Sequence, residues 1–111
     1  MSVAPGQVTL VPTGLVVAVP SGYFLGIFAR SNTPLKRGLM VANGVGVVDS
    51  DYSGPADEVK IEVYNFTAGT VEIRRGDRLA QGVILPCERA VLLEADDVSG
   101  PSRGGFGATG N

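Results

Sequence analysis

The chain has 111 residues, room for one domain around one modest core. Its formal net charge of -2 excludes a basic nucleic-acid patch as the dominant theme, so a polyanionic partner would have to be met by local arginines. Cys87 is the only cysteine and histidine is absent, which argues against a disulfide framework or a zinc site of protein ligands, excludes Ser-His-Asp and Cys-His pairs, and leaves Asp, Glu or a strongly shifted lysine as bases.

Sixteen glycines and seven prolines punctuate short strands, and no segment carries a convincing amphipathic helical period. A strand over residues 7–11 ends at Pro12-Thr13-Gly14 and a second follows over 15–19. Pro20-Ser21-Gly22 then turns the chain into a third over 23–30. Tyr23-Phe24-Leu25-Gly26-Ile27-Phe28 is apolar at nearly every position, so both faces of that strand should be covered, by a second sheet or by another subunit. Arg30-Ser31-Asn32-Thr33-Pro34 next sets a charge, a hydroxyl and a turn at a strand end, a place for phosphate contacts or for plain solvation.

Gly44-Val45-Gly46-Val47-Val48-Asp49-Ser50-Asp51-Tyr52 puts two carboxylates two residues apart at the end of an apolar hairpin. Spacing alone favours a polar turn bonded to a backbone amide; the functional alternative is a general base. Val59-Lys60-Ile61-Glu62-Val63 alternates, pointing Val59, Ile61 and Val63 to the core. Thr67-Ala68-Gly69 should turn it into residues 71–73 as a hairpin, with Arg74-Arg75-Gly76-Asp77-Arg78 as a second, charged turn. Strands over 78–85 and 89–93 complete the set, and Gln81 is a polar residue in an apolar run, where such a group often has a partner.

Many short strands at regular spacing predict a sandwich, jelly roll or small barrel. After Leu93 the composition turns acidic and reads as a flexible linker to a glycine-rich tail. That tail lacks the GK[ST] of a P-loop, yet glycine permits close backbone approach to an anion beside Arg103. No signal peptide is evident and the apolar runs are too short to span a bilayer, so a soluble cytoplasmic protein is expected, with neither membrane nor nucleic acid as partner.

In order, several segments resemble the motifs of the homotrimeric dUTPase family, over essentially the whole chain. They are Val11-Pro12-Thr13-Gly14-Leu15; Arg30-Ser31 with Pro34-Leu35-Lys36-Arg37-Gly38-Leu39; Asn43 to Tyr52; Arg75-Gly76-Asp77-Arg78-Leu79-Ala80-Gln81; and Arg103-Gly104-Gly105-Phe106-Gly107-Ala108-Thr109-Gly110. The resemblance implies an all-β subunit, a distorted jelly roll or β-clip over residues 1–93, assembled as a homotrimer with active sites at subunit interfaces. Residues 94–111 would form a flexible linker and a C-terminal active-site flap. The implied reaction is hydrolysis of dUTP to dUMP and pyrophosphate with Mg2+, held through the triphosphate and waters rather than by direct protein ligands.

The same resemblance assigns roles. Asp49 matches the general base that activates a water for in-line attack on the α-phosphorus. Ser31 and Gln81 match the side chains holding the triphosphate, with Arg30 beside them. Asn43, Gly46 and Val47 would line the uracil pocket, and Tyr52 would pack against deoxyribose. Arg103, Phe106, Gly107 and Thr109 fall in the flap, where Arg103 and the amides close over the β and γ phosphates and Phe106 stacks on the base. The family's first motif, Ala-Gly-x-Asp-Leu, has no counterpart, Asn32 stands where glycine is common, and Pro55-Ala56-Asp57 reads as a short insertion. These departures leave a second reading, a nucleotide-binding or structural trimer with impaired catalysis. The related dCTP deaminase group shares the fold, but the terminal Gly-Phe-Gly argues for dUTP hydrolysis.

Overall fold

A computed structural model describes residues 1–106; Gly107 and Thr109, assigned to the flap, lie outside the described residues. The elements are β1 (Ser2–Val3), β2 (Val8–Leu15), β3 (Tyr23–Ala29), α1 (Asn32–Arg37), β4 (Leu39–Val41), β5 (Gly46–Val48), β6 (Val59–Asn65), β7 (Val71–Glu72) and β8 (Ala80–Pro86). Two three-stranded antiparallel sheets, β2-β6-β4 and β5-β3-β8, are accompanied by the small pair β1-β7, giving the expected all-β, distorted jelly roll. Among the described residues no helix is long and apolar enough to cross a membrane.

The alternation of β6 holds at its ends, where Val59 and Val63 are buried and Lys60 is exposed, but Ile61, expected in the core, and Glu62, expected in water, are both half-buried. Ile61 packs against both core clusters. One contains Val3, Val11, Leu39, Val63, Ile73 and Leu79; the other contains Val19, Leu25, Ile27 and Val59. Each fully buried valine or leucine contributes roughly 1.5–3 kcal/mol. On β3, Leu25 and Ile27 enter the space between the sheets, while half-buried Phe24 and Phe28 flank Gly26. A Cβ at Gly26 would lie 2.5 Å from the Phe28 ring, so the rings close over the backbone where no second sheet covers it.

Four expectations about strands change. Pro12-Thr13-Gly14 does not end a strand: β2 runs through to Leu15 with a register shift between Pro12 and Leu15, a bulge. Residues 15–19 form no strand beyond Leu15, because no neighbour offers a ladder there. Residues 71–73 are not the return of a β6 hairpin; β7 pairs with β1 instead. The segment 89–93 is not a strand, and Val91, Leu92 and Leu93 are 82%, 93% and 87% exposed.

The missing β6–β7 hairpin has a local cause in Asn65, which is fully buried. Its amide nitrogen donates to the Val3 and Gly69 carbonyls, both at 2.8 Å, and its oxygen accepts from the Thr67 amide at 2.9 Å and hydroxyl at 2.7 Å. The turn after β6 is therefore folded around one side chain that also captures β1. Asn65→Leu keeps the branching of the side chain but strands these partners, so chemical denaturation should register a loss of about 3 kcal/mol. A loss under about 1 kcal/mol would show that the network is dispensable.

Candidate active site

Two groups of the predicted side chains come together, on opposite flanks of β3. The first surrounds a cleft of about 420 Å³ lined by Asn43, Gly46, Val47, Asp49 and Tyr52. Its position follows from how β4 and β5 are used. β4 pairs with β6 and β5 pairs with β3, so the Asn43-Gly44 turn is no hairpin tip but a crossing from one sheet to the other. The Ala42 amide donates to the Glu62 carbonyl at 2.9 Å and fastens the near side of this crossing to β6. On the far side Gly46 lies against Ile27; an added Cβ would sit 3.0 Å from the Ile27 Cβ.

β5 is an edge strand, so among the described residues its outward N-H and C=O groups have no strand partner and can read a ligand's hydrogen-bonding edge. Asp49 follows immediately, exposed, where the chain turns and the Tyr52 amide donates to the Asp49 carbonyl at 3.2 Å. The cleft thus offers an amide side chain, free backbone groups, a carboxylate and an aromatic ring. Those are the parts needed to recognise a planar base and sugar beside a site of water activation.

The second group lies where β3 ends. β8 pairs with β3 along its length, placing Gln81 opposite Phe28, and the Gln81 side chain donates to the Ala29 carbonyl at 3.0 Å. Arg30 and Ser31 follow directly. The turn that the sequence suggested here is the start of α1, held by buried Thr33, whose hydroxyl accepts from the Arg30 amide and donates to the Leu79 carbonyl, both at 2.8 Å. Ser31 makes no side-chain capping bond, which leaves its hydroxyl available. Sequence reasoning missed Thr33 as the anchor of this corner; a threonine three residues past a strand-ending arginine is its only signal.

Arg30, Lys36, Arg37 and Arg78 rim a second cleft of about 390 Å³. Arg37 is paired with Asp77 at 3.1 Å, so positive charge is in excess there, a suitable field for phosphates. The amide of Arg74, donated to Asp77 at 2.8 Å, and the Arg37 guanidinium hold the Asp77 carboxyl below its usual range against the upward push of desolvation. A lowered folded-state pKa adds stability at neutral pH that is lost as pH falls through the lowered value.

The two groups stay separate: the cleft around Asp49 is not lined by Arg30, Ser31 or Gln81. Nor do the described residues of the tail cover it. Arg103 is exposed and donates to the neighbouring Gly104 carbonyl at 3.3 Å, and Phe106 is fully exposed.

The sequence model of the dUTPase family matches residues 1–110. A deoxyuridine 5'-triphosphate nucleotidohydrolase of Methylocella silvestris is 45% identical over 99% of this chain and 68% of its own length. The chain belongs to the dUTPase family. As a family member it is a hydrolase of the dUTP diphosphatase class. Among solved structures, the dUTPase of Streptococcus mutans is 35% identical, with a TM-score of 0.74 over 86% of this chain and 74% of that one. The Staphylococcus bacteriophage 80alpha dUTPase with dUPNHPP gives a TM-score of 0.83 over 99% of this chain and 80% of its own, at 22% identity, a likeness of fold.

Proposed function

We propose that the chain hydrolyses dUTP to dUMP and pyrophosphate, with Asp49 taking the proton of a water that attacks the α-phosphorus in line as pyrophosphate leaves. The observation that carries this reading is the cleft in which Asn43, Gly46, Val47, Asp49 and Tyr52 converge. Asn43 and the β5 backbone select uracil, in a slot too narrow for thymine's methyl group. Tyr52 packs on deoxyribose and leaves no room for a 2'-hydroxyl. Arg30, Ser31 and Gln81 hold the triphosphate, and Arg103 and Phe106, with Gly107 and Thr109, close the site as a flap that excludes bulk water.

The donor set fits Mg2+ held through substrate. Among the described residues no group of three His, Cys, Asp or Glu could hold a metal, and Mg2+ usually keeps several waters and binds through phosphates. When bound, it would neutralise charge developing on the phosphate oxygens.

The separation of the two groups supports an active site completed across subunits, and hence the homotrimer: each cleft would meet a neighbour's Arg30, Ser31 and Gln81. The bare Val91-Leu92-Leu93 segment likewise asks for a partner surface. Family membership over residues 1–110 favours turnover over an impaired nucleotide-binding trimer. A pyrophosphate-release assay with dUTP, dTTP and UTP in Mg2+ tests the reading. dUTP should exceed both others in kcat/KM by about 100-fold or more. Equal rates, or none with dUTP, would end it.

A further inference from the structure

The stretch Pro55-Ala56-Asp57 has no part in the reaction as proposed, yet it leads into a chain of contacts that ends on Tyr52. Asp57 closes its own turn: its carboxylate accepts from the Gly54 amide at 2.8 Å and its amide donates to the Gly54 carbonyl at 3.0 Å. The next residue is Glu58, half-buried at the mouth of the Asp49 cleft. Its carbonyl accepts the Tyr52 hydroxyl at 3.1 Å. Its carboxylate reaches the other way and accepts the Gly14 amide at 2.8 Å.

Gly14 lies in the β2 bulge at φ 74°, a backbone that favours glycine, and this aims its N-H at the start of β6. The bulge is itself tied to β6, because the Thr13 hydroxyl donates to the Val59 carbonyl at 2.5 Å. Glu58 is therefore held between a rigid strand pair and the tyrosine, and the bond to its carboxylate is charge-assisted.

We propose that Glu58 is a positioning residue for sugar selection: anchored by its carboxylate to the β2 bulge, it holds the main-chain carbonyl that fixes the Tyr52 ring. This rests on the reading of Tyr52 as the residue against the sugar. Glu58 touches no reacting atom. It acts by keeping the ring where a 2'-hydroxyl would collide with it, so its loss loosens discrimination while the water-activating carboxylate stays in place.

The test is the ratio of kcat/KM for dUTP over UTP in four variants, with thermal unfolding measured alongside. Glu58→Ala should lower the ratio about tenfold, a change equivalent to the loss of one charge-assisted hydrogen bond. Glu58→Gln keeps an acceptor oxygen and should stay within about twofold of the parent. Tyr52→Phe should lower the ratio as Glu58→Ala does, and the double variant should be no worse than Tyr52→Phe alone, because both act through one contact. If Glu58→Ala does not fold, Glu58→Asp, one methylene short of the amide, carries the same expectation.

A selective parent whose ratio Glu58→Ala leaves unchanged would overturn this proposal alone, as would a Gln variant as poor as the Ala variant or multiplicative losses in the double variant. A parent with no preference for dUTP would overturn the reading of the cleft and this proposal with it.

Discussion

Replacing Asp49 with Asn should lower pyrophosphate release from dUTP by about a thousandfold while leaving dUTP binding nearly intact. A positioned general base is worth roughly 10²–10⁴ in rate, and Asn preserves the shape of the side chain while being unable to take the proton. The expectation is clean because Asp49 is exposed at the end of β5 and its carboxylate makes no hydrogen bond among the described residues. Its replacement should therefore not disturb the fold. Steady-state turnover combined with calorimetric titration of dUTP in Mg2+ separates the two effects. Turnover within tenfold of the parent would remove Asp49 from the role of base.

Truncation after Gly100 is the second large effect. Turnover should fall by about 100-fold or more, since a lid that excludes water and completes the contacts to the phosphates acts on the chemical step. The midpoint of thermal unfolding should stay within about 2 °C. The stability half of this expectation comes from the described part of the tail: Arg103 bonds to its own neighbour, and Phe106 is fully exposed and packs on nothing. Unchanged turnover would show that the tail is no part of the site; a fall in the midpoint would show that it belongs to the folded body.

What could be read from the sequence depended on how locally each feature is determined. The β6 alternation and the apolar β3 needed no knowledge of partners, since period and composition alone fix which side chains are buried. The motif residues of the cleft were equally legible because they are close together in the chain: Asn43 to Tyr52 is a single crossing and turn. Three features escaped for physical reasons. α1 has six residues, too few for a 3.6-residue period to register, and is ended by Gly38 at φ 69°, whose carbon would meet the Thr67 methyl at 2.6 Å if it bore a Cβ. The pairing of β7 with β1 is decided by Asn65, whose partners lie 62 residues away at Val3 and four away at Gly69. The segment 89–93 has strand-forming residues but no neighbouring ladder among the described residues, and strand propensity counts only where a pleated neighbour is present.

If the cleft takes the base as proposed, the crossing from β4 to β5 bears on how that base is held. Asn43 rides on one sheet through the Ala42 bond to Glu62, whereas Gly46 rides on the other against Ile27. The crossing is tight, with the Asn43 amide nitrogen 3.7 Å from where a Cβ on Gly46 would sit, so this stretch of the cleft wall is pinned at its two ends to different layers of the domain. Ile61 packs against the core clusters of both layers. Under the proposed reading, fidelity toward the base would depend on how these two layers pack, and so on apolar side chains away from the cleft such as Leu39 and Val63.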